Sequence, residues 1–94
     1  MKLEFEWDAA KARANARSHG VTFELAKSVF KDPHAIELLD DREDYRERRY
    51  IIIGAAMGGA VLAVVYTERE ERIRLISARR ATQYEQSQYI KQSE

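Results

Sequence analysis

At 94 residues the chain has room for one hydrophobic core, and a single domain over residues 1–94 is predicted. Its composition, 45% hydrophobic and 34% charged, is that of a folded domain with a heavily charged surface, and the absence of cysteine excludes disulfides and thiolate metal sites. Sixteen basic and sixteen acidic residues cancel, which argues against a protein that coats nucleic acid by bulk charge.

In chain order, Lys2 to Trp7 alternate, with Leu3, Phe5 and Trp7 on one face, the period of a half-buried strand. Asp8 stands where an N-cap belongs, ahead of an alanine-rich stretch that ends at Gly20, so the first helix is predicted from about Asp8 to His19. Thr22 is the next candidate cap, with Phe23, Ala26, Val29 and Phe30 at helical spacing before Asp32-Pro33 stops the chain. Ala35 to Leu39 reads as a brief strand and Asp40 to Arg46 as a charged loop. Arg49–Ala56 and Ala60–Thr67 are apolar, β-branched runs joined by the hairpin signal Met57-Gly58-Gly59; a third run, Arg72 to Arg79, follows the charged turn Glu68 to Glu71. Ala81 to Gln92 closes the chain as a terminal helix. This order predicts an α+β domain: an antiparallel sheet with two N-terminal helices and a C-terminal helix packed on one of its faces. The longest apolar run, Ile51 to Val65, is interrupted by three glycines and too short for a membrane span, and the N-terminus does not read as a signal peptide, so no membrane association and a cytoplasmic location are expected.

Charge is unevenly placed. From Arg42 to Arg80 there are nine arginines (42, 46, 48, 49, 69, 72, 74, 79, 80) against six acids (43, 44, 47, 68, 70, 71), with no lysine. Every basic group there is a planar fork suited to phosphate or carboxylate. Arg49, Arg74 and Arg79 begin or end strands, where a sheet holds them rigidly; Arg72 and Arg74 share one face of the last strand, and Arg79 falls on the other if the pleat is regular. Glu47, two residues before Arg49, is placed to pair with it, which would make Arg49 structural. On the first helix Lys11, Asn15 and His19 lie four apart on one stripe with Asp8; an ordinary solvated helix face explains the stripe equally well. Tyr45, Tyr50, Tyr66, Tyr84 and Tyr89 are interleaved with the basic material, as stacking platforms for single-stranded RNA or as packing residues. His19 and His34 cannot alone build a zinc site, and the sequence holds no nucleotide loop, nucleophile elbow or paired catalytic carboxylates, so chemistry without a cofactor is the default.

Six fragments in order along about nine-tenths of the chain resemble the BrnT family: F-x-W-D-x-x-K-x-x-x-N (Phe5 to Asn15), H-G-V-x-F-E-x-A (His19 to Ala26), V-F-x-D-P (Val29 to Pro33), E-x-R (Glu47 to Arg49), V-V-Y-T-x-R (Val64 to Arg69) and R-x-I-S-A-R-x-A-x-x-x-E-x-x-x-Y (Arg74 to Tyr89). The resemblance implies a RelE-like fold, a metal-independent endoribonuclease that arrests translation, and neutralisation by a BrnA-type antitoxin through which alone operator DNA is reached. An inactive homologue kept as an antitoxin-binding co-repressor is the alternative. His19, Arg49, Arg74 and Glu47 are the candidate catalytic residues and Lys11, Asn15, Arg72, Arg79 and Arg80 the candidate RNA-binding ones, all but Arg72 and Arg80 on family motif positions, and no metal or cofactor is expected. The chain departs from the pattern at Ser18, where many relatives carry lysine, at Arg46, where they carry glycine, and at Gln83, Tyr84 and Gln86, where the terminal helix is less basic.

Overall fold

Alternation at the N-terminus does produce a strand, but a short one. In the structure, a computed structural model that describes residues 3–93, β1 is Phe5–Glu6, and Lys2 lies outside the described residues. It runs parallel to the last strand, Phe5 opposite Ile73 and Glu6 opposite Arg74. The sheet is therefore mixed rather than purely antiparallel, because the rest of the chain serves as the long crossover that parallel pairing needs.

Helix α1 (Ala9–His19) is bounded as the sequence predicts: the Asp8 side chain accepts from the Lys11 amide at 2.9 Å, and Gly20, left-handed at φ 66°, ends it. Thr22 caps α2 (Phe23–Lys27), which tightens into a 3-10 turn over Ser28–Lys31 before Asp32-Pro33. Four strands follow: β2 (Ile36–Asp40), β3 (Arg49–Ala55), β4 (Val61–Arg69) and β5 (Arg72–Arg80). The β3–β4 turn has Gly58 and Gly59 at φ 95° and 99°, a backbone conformation that residues with a Cβ rarely adopt. The β4–β5 turn is made by Glu70 and Glu71, both at positive φ, between the paired residues Arg69 and Arg72. Helix α3 (Gln83–Ser93) starts with a reciprocal capping box, Thr82 Oγ1 accepting from the Glu85 amide and Glu85 Oε1 from the Thr82 amide.

The strand order is β1-β5-β4-β3-β2, with β2 to β5 antiparallel to their neighbours. On one face Ile52, Leu62, Val64, Tyr66, Leu75 and Ala78 meet Val21, Phe23, Ala26 and Val29 from the α1–α2 layer, forming the larger core. Burying a side chain such as Phe23 or Leu75 there contributes about 1.5–3 kcal/mol each. On the other face Ile53 and Ala63 pack with Ala81 and Tyr89. Helix α3 therefore crosses to the second face, and the expectation of three helices on one face is corrected: Ala81 donates its amide to Val61 O at the end of β4, and the Tyr89 hydroxyl donates to Asp32. That carboxylate also receives the Ala55 amide; burial would raise its pKa, but these bonds outweigh it and hold the group below its ordinary range.

β5 carries one irregularity that matters for the site. Val65 of β4 pairs with Ser77 and Tyr66 with Leu75, leaving Ile76 as an extra residue. Side-chain alternation changes phase there.

Candidate functional site

Because α3 covers only one end of the second face, the other end is open, and one line of directly opposed residues crosses it from edge to edge. Asp40 of β2 faces Arg49 of β3, Arg49 faces Thr67 of β4, Thr67 faces Arg74 of β5, and Arg74 faces Glu6 of β1. Opposed residues project on the same side of a sheet, so the five side chains form one polar row. Thr67, 3% exposed, is its floor, with its hydroxyl donating to Arg48 O at 2.6 Å. Arg49 and Arg74 flank it with side chains 24% and 30% exposed, half-sunk but reachable from solvent.

Carboxylates hold both arginines in place, and an aromatic ring also holds Arg49. Arg49 Nε donates to Glu47 Oε2 at 3.1 Å, and its guanidinium lies 4.1 Å over the Tyr45 ring. Glu47 Oε1 is also 3.5 Å from Arg69, while Arg74 Nη1 donates to Glu6 at 2.8 Å and Arg72 reaches Glu4 and Glu6 at 3.6 Å. The hydrogen bond from Arg74, opposed by burial and assisted by the charges of Arg72 and Arg69, keeps Glu6 below its ordinary carboxylate range. At the other end, Asp40 has a fully buried side chain that accepts two bonds from the Arg42 guanidinium and one from its amide, which hold its pKa low, and one from the Tyr45 hydroxyl. The result is a rigid band of guanidinium groups whose outer N–H groups face water, the arrangement that binds a phosphate bidentately.

The predicted residues divide between the two faces. Arg49, Arg72, Arg74 and Glu47 come together on the open face. Arg79 joins them there, because the extra residue Ile76 pairs it with Ala63 on the same side as Thr67; a regular pleat would have placed it on the other side, and that expectation is corrected. Its guanidinium, however, is clasped by Glu85 at 2.7 and 3.0 Å, a tie between β5 and α3 that depresses the Glu85 pKa to about 2. Arg80, exposed, pairs with Leu62 on the larger-core side.

Asn15 is not available to RNA, and the sequence reading of it is corrected. It is 7% exposed; its amide group donates to Val21 O and Ala78 O at 3.0 and 2.8 Å and its oxygen accepts from the Ala78 amide at 3.0 Å, closing the edge of β5 that short β1 leaves bare. Lys11 and His19 are exposed on the same helix, on the larger-core side of the sheet, so the structure does not bring His19 to Arg49 and Arg74. Thr67, Glu6 and Asp40 are the members of the site that sequence reasoning missed. Register was the only signal that could have found them. Of the tyrosines, Tyr66 is buried, Tyr50 stacks on it at 5.4 Å, Tyr89 is bound to Asp32, and Tyr84 alone is largely exposed, at 72%. Among the described residues no group of three or more His, Cys, Asp or Glu is placed to hold a metal ion, and no helix is long and apolar enough to cross a membrane.

A small five-stranded α+β domain with this arrangement is the architecture of a known ribonuclease toxin: the crystal structure of Brucella abortus BrnT superposes with a TM-score of 0.63, over 87% of this chain and all (100%) of that one, at 21% sequence identity. No curated protein sequence matches. The family model described as ribonuclease toxin, BrnT, of type II toxin–antitoxin system matches residues 7–85, and the chain belongs to that family. A type II system pairs such a toxin with a protein antitoxin.

Proposed function

We propose that this chain is a RelE-like, metal-independent endoribonuclease that cleaves RNA in the cytoplasm, arrests translation, and is neutralised by a BrnA-type antitoxin through which it reaches operator DNA. One observation carries the location of the site: Arg49 and Arg74 flank Thr67 in a single row at the end of the second face that α3 leaves uncovered. Their backbones stand two strand spacings apart, about 10 Å, so a phosphate resting over Thr67 is within reach of both side chains.

In this reading the RNA 2′-oxygen attacks the adjacent phosphorus, the P–O5′ bond breaks, and the products are a 2′,3′-cyclic phosphate and a 5′-hydroxyl. Glu47, the carboxylate beside Arg49, takes the 2′-hydroxyl proton, and water protonates the leaving oxygen. Arg49 and Arg74 neutralise the charge that builds on the phosphoryl oxygens, and Arg72 holds a neighbouring phosphate. Removing one such charge-stabilising group typically costs about a hundredfold to a thousandfold in rate. The test is induction of the wild type beside Arg49→Ala and Arg74→Ala, with growth and RNA ends followed and folding checked by circular dichroism. Arrest with 2′,3′-cyclic phosphate ends, lost in both folded variants, is the expected result. Absence of arrest in the wild type would overturn it in favour of an antitoxin-binding co-repressor.

A further inference from the structure

The open face continues past the arginines. One pleat repeat along the strands, about 7 Å from the polar row, Leu38 faces Ile51 and Ile51 faces Val65. One repeat further on, the first turns of α3 rise over Ile36 and Ile53. Between β2, β3 and α3 this leaves a groove of about 310 Å³ lined by Ile36, Leu38, Ile51, Ile53, Tyr84 and Gln88. Its walls are apolar yet wet: Leu38 is 51% exposed and Tyr84 is 72% exposed. Glu85 also borders it, but both of its oxygens are taken by Arg79 and the Thr82 amide.

Two unlike surfaces thus adjoin on one face, a band of guanidinium groups and an apolar slot with an aromatic ring on its rim. A purely apolar ligand would make no use of the band, and a phosphate alone would make none of the slot. A nucleotide has both chemistries, joined at about this distance. We propose that the groove is a nucleobase subsite, taking one base of the single-stranded RNA whose phosphate rests on Arg49 and Arg74. The base lies over Leu38 and Ile51 with Tyr84 as its stacking platform, and the Gln88 amide, both donor and acceptor, meets its edge. The inference rests on the ribonuclease reading of the arginine row.

The test is binding of a labelled short single-stranded RNA, 2′-O-methylated against cleavage, and of the same RNA with an abasic site placed at each position in turn. Loss of a base–aromatic stack weakens binding by roughly fivefold to a hundredfold. Tyr84→Ala should show such a loss with an unchanged salt dependence, since no phosphate contact is removed, while Tyr84→Phe should bind like the wild type. One abasic position should weaken wild-type binding and leave Tyr84→Ala unaffected, the coupling that marks a direct contact. Equal effects of every abasic site on both proteins would overturn the subsite. If Arg49→Ala and Arg74→Ala weaken RNA binding while Tyr84→Ala does not, only the subsite falls; if none of the three matters, the RNA reading falls with it. Loss of self-association in Tyr84→Ala by sedimentation, with RNA binding intact, would assign the groove to a second copy of the chain instead.

Discussion

Asn15 bonds both backbone groups of Ala78, 63 residues away in sequence, and in doing so stands in for the part of β1 that is missing along β5. Asn15→Ala would leave the Ala78 amide and two carbonyls unpaired in a buried place, where each such group costs about 1–3 kcal/mol. A loss of about 3 kcal/mol or more in urea denaturation is expected, with RNA affinity of the folded fraction unchanged. A variant of wild-type stability that no longer binds RNA would contradict this.

Arg46 adopts φ 61°, left-handed backbone that costs a residue with a Cβ about 1–2 kcal/mol. After allowance for glycine's greater freedom when unfolded, Arg46→Gly should gain about 0.5–1 kcal/mol and raise the melting temperature by a few degrees, whereas Arg46→Val should lower it. Differential scanning calorimetry decides between these outcomes and a neutral substitution.

Glu85 links stability to pH. Its carboxyl, at about 2 instead of 4.5, is depressed chiefly by the bond from Arg79, so the stabilisation is complete above pH 4.5 and fades as the pH falls through about 2. Glu85→Gln should be less stable than the wild type at neutral pH, and the two denaturation midpoints should converge on acidification. A constant gap between them at all pH values would show that the charge is not what stabilises the tie.

His19 and Arg49 are separated by the sheet, which sets up a contrast within the candidate residues. His19→Ala should cleave RNA at close to the wild-type rate with an unaltered pH profile, while Glu47→Gln should lose activity together with Arg49→Ala. Lys11→Ala, if that lysine holds a flanking phosphate around the β5 edge, should weaken binding more at low salt than at high. A large loss of rate in folded His19→Ala would place the chemistry on α1 and away from the arginine row.

Local signals were legible wherever the chain writes its own boundary. Asp8, Thr22 and Gly20 cap helices by short-range bonds, and Gly58-Gly59 and the Glu70–Glu71 turn set the meander, so those elements appear where periodicity and turn chemistry put them. What failed depends on residues far apart. Nothing near Phe5 announces a parallel partner at Ile73, and nothing in residues 81–92 states which face α3 will cover. The site followed the same division: Arg49, Arg74 and Glu47 could be singled out by residue type and rigidity, whereas Thr67 and Glu6 belong only because register sets them opposite those arginines. Asn15 misled because a polar residue on a polar stripe looks solvated until the strand edge that consumes its hydrogen bonds is known.

The extra residue at Ile76 makes β5 a strand of two phases. Before it, odd-numbered Ile73 and Leu75 face the larger core; after it, even-numbered Ala78 does, and Arg79 is released to the side where Arg74 already stands. Were the same residues laid in a regular ladder with no bulge, alanine and arginine would exchange, sending a guanidinium into the core and taking the partner of Glu85 away from α3. The bulge is therefore what lets this sequence satisfy both faces, and deletion of Ile76, which removes the bulge and the extra residue together, should leave Ala78 in the core and Arg79 beside Glu85.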